Sequence, residues 1–280
     1  MQPYTIKLRG KIETVDHPWV MGILNVTDDS FYGGSRAFDE AAVATRVRTL
    51  LDEGADVIDV GACSTRPGCE CVTAEEERRR LDMGMRVLRS IDAHVPVSVD
   101  TFRAEIARHC VEDLGVDIIN DISGADDPDM ARTVAELGVP YVLMHMRGTP
   151  SDMQQHTEYG EDVTAAVLTE MSRSYERLVC AGVGDIIIDP GFGFAKTLEQ
   201  NYELMRNLEA FAVFGRPIFV GISRKSMITR LLGISTDESL NATTALNTMA
   251  LERGAAILRV HDVRAARQAV TIYEAVRGRF

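Results

Sequence analysis

The chain repeats one pattern eight times: a short apolar, β-branched run, a polar turn, then a longer stretch with apolar residues at helical spacing. The runs are Val20 to Val26, Asp56 to Val60, Val95 to Val99, Val116 to Ile119, Tyr141 to Met144, Ile186 to Ile188, Pro217 to Ile222 and Ala256 to Val260. A continuous run such as Ile186-Ile187-Ile188 suits a strand buried on both faces, and such strands belong to parallel sheets. Strict alternation with helices implies right-handed crossovers, and eight units closing on themselves make a (β/α)8 barrel, which uses about 250 residues. The 280 residues of the chain fit that size with no Pro-rich linker. Ahead of the first unit, Tyr4 to Leu8 and Lys11 to Thr14 alternate around Arg9-Gly10, which predicts a hairpin placed to plug the barrel's bottom. The expected organisation is therefore a single α/β domain, with the hairpin over residues 1–17 and the barrel over 18–280. An open doubly wound sheet is the alternative fold. Against it, no G-x-G-x-x-G follows the first run and no G-x-x-x-x-G-K-[ST] occurs.

Composition narrows the function classes. A formal net charge of −12 disfavours a generic nucleic-acid binder, which needs a basic face to displace phosphate counterions. With 45% hydrophobic and 26% charged residues a sizeable core is expected. The first twenty residues hold no apolar leader, and no run approaches the ~18 apolar residues of a membrane span, so a cytoplasmic protein without membrane attachment is expected. Five cysteines in a chain of this length make no disulfide framework, and Cys63, Cys69 and Cys71 lack paired zinc spacing. They read as free thiols beside Arg66, where positive charge favours thiolate. Arg78, Arg79 and Arg80 read as a solvated helix face, with Glu75 and Glu76 four residues ahead of the last two and Thr73 as the cap.

In a barrel all eight C-terminal strand ends face one mouth. The residues brought there are Asn25, Thr65, Arg66, Asp100, Asn120, Met144, Asp189, Lys225, Arg259 and His261. Asp100, Asn120, Asp189 and Lys225 can hydrogen-bond a flat polar heterocycle, because carboxylates accept from adjacent ring N–H and amino groups while Asn and Lys satisfy the other edges. Arg66, Arg259 and His261 suit a polyphosphate, and Asn25 can offer an oxygen to Mg²⁺. Taken singly, Asp100 and Asn120 also fit as turn residues, Arg259 as a barrel-interior ion pair and His261 as a loop histidine. The cationic pair Arg259 and His261 facing a loop with another Arg favours the anion site, because buried unpaired charges are costly. In DIIIDPGFGFAK the run closes on Asp189, and Phe192 and Phe194 add aromatic surface where a loop is usually polar.

The segments MGILNVTDDSF, CSTRPG, VSVDT, IINDIS, LMHM, IDPGFGFAK, GISRKS and LRVHD together resemble the successive signatures of the dihydropteroate synthase family, the folate-pathway branch of the pterin-binding barrels. The resemblance spans nearly the whole chain in order. It implies condensation of (7,8-dihydropterin-6-yl)methyl diphosphate with 4-aminobenzoate, assisted by Mg²⁺, in a cytoplasmic homodimer that sulfonamides target. It puts pterin recognition on Asp100, Asn120, Met144, Asp189, Gly221 and Lys225, the magnesium ligand on Asn25, and diphosphate contacts on Thr65, Arg66, Arg259 and His261. It puts aminobenzoate near Phe31, Pro67, Phe194 and Arg224 to Ser226, with Lys225, Arg259 and Asp100 closest to the chemistry. The chain departs from the family pattern in two loops: Asp28 replaces a Pro, Tyr32-Gly33-Gly34 lacks a second Asp, and Ala62-Cys63 replaces Gly-Glu. The rival readings are a pterin-binding methyltransferase, which has no diphosphate to hold, and a catalytically silent pterin-binding paralogue.

Overall fold

The computed structural model describes residues 3–27, 40–63 and 72–279. Strands β1 (Tyr4–Leu8) and β2 (Lys11–Val15) pair antiparallel in a sheet of their own. Strands β3 (Trp19–Asn25), β4 (Val57–Gly61), β5 (Val97–Asp100), β6 (Ile118–Asp121), β7 (Tyr141–Met144), β8 (Ile186–Asp189), β9 (Ile218–Val220) and β10 (Ala255–Val260) form a closed barrel in sequence order, β10 returning to β3. Around them lie α1 (Glu40–Asp52), α2 (Ala74–Ile91), α3 (Ala104–Glu112), α4 (Met130–Leu137), α5 (Val163–Ala181), α6 (Leu198–Arg206), α7 (Ser226–Leu232), α8 (Leu240–Glu252) and α9 (Val263–Val276). Among the described residues, no helix is long and apolar enough to cross a membrane.

Alternation along each strand divides the core. One face packs outward on the helices, joining Val20, Leu24, Ile58, Val60, Ile119 and Ile188 to helix residues such as Val47, Leu50 and Leu88. The other face points into the barrel, where Met21, Val57, Ile118, Val142, Ile187, Phe219 and Ile257 meet Ile6, Leu8 and Val15 of the hairpin. The hairpin thus plugs the bottom, as its position ahead of the barrel suggested. Its turn holds Arg9 at φ 50° and Gly10 at φ 75°, two successive left-handed residues that match the twist of a tight hairpin. The Arg9 side chain reaches the barrel, its Nε 2.7 Å from Asp117 Oδ1 and its Nη2 3.1 Å from the Val95 carbonyl.

Three local expectations change. The helix after β8 ends at Arg206 and gives way to a 3₁₀ turn over Leu208–Phe214, and β9 stops at Val220, leaving Gly221 and Ile222 to the loop. In the arginine run only part of the face is solvated: Arg80 is buried, its Nε 2.7 Å from Glu76 and its Nη1 3.2 Å from the Ala62 carbonyl. Arg79 pairs with Glu76, three residues back, at 2.8 Å.

Candidate active site

Parallel pairing puts the strand ends in one tier. Asn25 is in register with Gly61, Gly61 with Asp100, Asp100 with Asn120, and Met144 with Asp189. Asn25, Asp100, Met144 and Asp189 close their strands and Asn120 stands one residue before the end of β6, so strand geometry carries them to the mouth. The central cation is Arg259 on β10. Its Nε lies 2.6 Å from Asp59 Oδ2 and its Nη2 3.0 Å from Asp100 Oδ2. Asn120 donates from Nδ2 to the same Asp59 oxygen at 3.2 Å. Asp59 is fully buried, and its Oδ1 has no partner among the described residues; nor does Ser98 Oγ on the register-paired position of β5.

Burial dominates the protonation chemistry. It raises the Asp100 carboxyl to about 7, with Arg259 opposing and Asp59, Glu77 and Asp121 adding negative charge. Asp189 is raised for the same reason, against the pull of Lys225, while its Oδ1 accepts from Gly191 N at 2.8 Å. Burial lowers Lys225 to about 8, against Asp189. The Lys225 ammonium donates to the Phe192 carbonyl and sits 4.5 Å from the centre of the Phe194 ring. His261 is lowered to about 4 by burial and by the charges of Arg259 and Arg224; its Nδ1 lies 3.1 Å from Ser223 Oγ.

A cavity of about 710 Å³ opens here, lined among others by Asn25, Asp100, Gly221, Lys225, Arg259 and His261, with Phe194 and Met153 as apolar wall and Ser226 at the rim. Asn120, Met144 and Asp189 stand at the same end of the barrel beneath this lining. Met144, Ile122, Met153 and Phe194 form one apolar cluster, flanked by Phe102 and Met146. A flat ring could lie against that cluster with its polar edge towards the carboxyls. Gly221 leaves room for it: a Cβ there would come no closer than 3.7 Å to any side chain.

Asn25 stands at the end of β3, and among the described residues its amide has no hydrogen-bond partner. No cluster of three or more His, Cys, Asp or Glu that could hold a metal occurs among them either. A cation at Asn25 would take one protein oxygen and draw its other ligands from substrate and water, which suits Mg²⁺.

A family model for pterin binding enzymes matches residues 21–261. The chain belongs to the pterin-binding enzyme family. Among members, the dihydropteroate synthase of Escherichia coli strain K12 is 40% identical over 265 residues, covering 93% of this chain and 92% of that one. A probable bifunctional folylpolyglutamate synthase/dihydropteroate synthase of Haloferax volcanii is 40% identical over 255 residues, which are 89% of this chain and 30% of that protein. The solved structure of Xanthomonas albilineans dihydropteroate synthase with 4-aminobenzoic acid superposes with a TM-score of 0.90 at 38% identity, covering 99% of both chains.

The structure adds to several readings of the sequence. Arg259 is already paired, with Asp59 and Asp100, so it is an ion pair of the barrel interior as well as part of the cavity wall. Phe192 is fully buried in the main core, and of the two loop rings only Phe194 reaches the cavity. The Arg224 guanidinium is turned onto Asp262, with Nε and Nη2 at 2.9 and 2.6 Å from its two oxygens. Phe31, Thr65, Arg66, Pro67, Cys69 and Cys71 lie outside the described residues; Cys63 is half-buried on the cavity wall. Sequence reasoning missed Asp59, Ser223, Met153 and Lys196. The signal for Asp59 was a lone carboxylate inside a buried run, at the alternation that points inward.

Proposed function

We propose that the chain condenses (7,8-dihydropterin-6-yl)methyl diphosphate with 4-aminobenzoate to 7,8-dihydropteroate and diphosphate, as a dihydropteroate synthase. The observation that carries this reading is the convergence of Asp100, Asn120, Asp189, Lys225 and Arg259 at one barrel mouth, above an apolar cluster and beside a cavity of about 710 Å³. Asp189 and Asp100 accept from the ring N–H and amino donors, while Asn120 and Lys225 meet the remaining edges. Met144 and its neighbours exclude water from the ring face. The Phe194 ring and the Lys225 stem hold the aniline in line with the methylene carbon, a positioning effect that can supply several kcal/mol of the barrier.

In the reaction the methylene C–O bond breaks, diphosphate leaves with its electron pair, the aniline nitrogen forms the new C–N bond, and one N–H proton is released. Positive charge developing at the methylene would be stabilised by the carboxylates of Asp100 and Asp189. Arg259 and His261 lie where they could meet the departing diphosphate, and Asn25 would hold Mg²⁺. When bound, the metal would neutralise charge on that leaving group.

Beyond the reaction we place a homodimer contact on α7 to α9, where Leu231, Leu232, Leu240, Met249, Ile272 and Val276 are exposed. A sulfonamide carries the same aniline beside an acidic group and would compete for the arylamine site, and a cytoplasmic location goes with these substrates. The test is incubation with both substrates and Mg²⁺. Dihydropteroate and diphosphate should appear together, neither forming without both substrates, and a chelator should stop them. Absence of product in the complete mixture overturns the reading, and undiminished activity with the chelator removes the metal from Asn25.

A further inference from the structure

Lys196 is a buried cation for which the condensation has no direct use. It is 3% exposed beneath the loop joining β8 to α6. Its Nζ donates to the Gly191 carbonyl at 2.9 Å and the Phe194 carbonyl at 2.9 Å, and lies 3.1 Å from His145 Nδ1. The His145 carbonyl stands 3.4 Å from the same Nζ, so four acceptors surround the three hydrogens of the ammonium. The ionised Glu170 carboxylate can only accept, so the neutral His145 ring carries its proton on Nε2, which donates to Glu170 Oε2 at 3.0 Å and leaves Nδ1 to accept. Glu170, on α5, also binds the Arg147 guanidinium, whose carbon lies 3.8 Å from the centre of the Tyr159 ring. Burial lowers Lys196 to about 7, against Asp189 and Glu170, and lowers His145 to about 4 with Lys196 adding to the effect. The loop is thus tied to α5 through an unbroken line of polar contacts.

The loop's shape needs such a tie. Gly191, Gly193 and Ala195 have φ of 74°, 83° and 50°, and for Ala195, which has a Cβ, the left-handed region is strained. A side chain at Gly191 would overlap the His145 carbonyl, so the loop crosses the strand β7 end in close contact. The Phe194 carbonyl takes the ammonium as its partner, and the Gly191 carbonyl accepts from the ammonium as well as from Phe194 N at 3.2 Å. At the far end Asn201 Oδ1 accepts from Gly193 N at 2.6 Å, and Thr197 opens α6 with a capping box to Gln200. Three other parts of this short loop serve the cavity: Gly191 N holds the Asp189 carboxylate, the Phe192 carbonyl holds Lys225, and the Phe194 ring forms the wall.

We propose that Lys196 is a positioning residue: it holds the β8–α6 loop in the one shape that presents Asp189 and Lys225 to the pterin and Phe194 to the arylamine. This rests on the synthase reading above. The variant Lys196→Met keeps the stem and removes all three donors. Its KM for both substrates should rise about tenfold or more while kcat stays within about threefold, the pattern of lost uniform binding. Calorimetric titration with pterin diphosphate should weaken to match. Glu170→Gln leaves the ammonium in place but weakens the anchor behind His145, and should move both KM values the same way by about threefold. A folded Lys196→Met variant with unchanged KM values overturns the proposal, as does a collapse of kcat at unchanged KM, which would put Lys196 in the chemistry. Should Lys196→Met fail to fold, Glu170→Gln alone decides, and unchanged KM values there overturn it. Failure of the synthase reading looks different: the wild type would make no dihydropteroate, while the calorimetric arm would still report on the loop.

Discussion

At the closed end of the barrel the inward residues are Val57, Ile118, Val142, Ile187 and Ile257, packed on the hairpin. Two residues further along the same five strands, at the open end, they are Asp59, Asn120, Met144, Asp189 and Arg259. Four of these five positions have changed from apolar to polar within one step of the strand repeat. The apolar end supplies burial, roughly 1.5–3 kcal/mol for each large side chain. The polar end carries buried carboxyls whose pKa values are raised at Asp100 and Asp189, meaning that burial disfavours their ionised forms. One end stabilises the fold, and the other uses part of that stability to hold charges ready for a ligand.

The sharpest way to break this comparison is a pair of substitutions on one strand. Asp189→Ala should weaken pterin diphosphate binding about a hundredfold or more, since two ring donors each lose an acceptor at about 1–3 kcal/mol. Its melting temperature should change little, because the desolvation cost of the carboxylate and the bond from Gly191 N disappear together. Ile187→Ala, two residues lower, should cost about 2–5 kcal/mol of stability through the cavity it leaves, with both KM values near wild type. Calorimetry and thermal melts read the two arms. Equal effects of both substitutions on binding would show that the ends are not separate.

How much of this was legible from the chain follows the same division. Eight apolar runs with polar ends announce a barrel, and Asp100, Asn120 and Asp189 are legible because each closes its run. Asp59 was not, because it lies inside Val57–Gly61 and looks like an interruption until the strand's alternation turns it inward. The pairing of Arg259 was equally hidden. Its partners Asp59 and Asp100 lie 200 and 159 residues away, and only closure of the sheet joins them. Lys196 was quoted within a motif, yet its role depends on carbonyls turned inward by three positive φ angles, which residue identity alone does not specify. Phe192 and Phe194 are two residues apart, but in a loop with left-handed turns no alternation rule assigns them a side.

A smaller effect separates the two ends by pH. The open end should titrate in the working range, because Asp100 stands at about 7 and Lys225 at about 8. Protonation turns one Asp100 oxygen from an acceptor into a donor and removes its negative charge, so kcat/KM for pterin diphosphate should fall as pH drops through about 7. Lys225 donates as an ammonium only below its lowered pKa, so the same parameter should fall again as pH rises through about 8. The expected profile is a narrow bell reporting the free enzyme. Lys225→Arg should remove the alkaline limb, since a guanidinium stays charged throughout. An alkaline limb that survives in that variant assigns it to another group.

The smallest effect belongs to the closed end, where the hairpin is anchored by Arg9. Its guanidinium holds Asp117 at 2.7 and 3.1 Å, but the side chain is 41% exposed, so solvent screens much of the attraction. Asp117 is not left alone when Arg9 goes, because Val97 N still donates to it at 2.9 Å and Arg89 stands 3.5 Å away. Arg9→Ala should therefore cost about 1 kcal/mol. Arg9→Gly loses the same bonds but relieves the left-handed backbone, for which a residue with a Cβ is penalised by about 1–2 kcal/mol. The glycine variant should melt at or above the alanine one, and neither should alter KM or kcat. A kinetic change in either variant would mean that the plug communicates with the mouth, and the division between the two ends would fail at its quietest point.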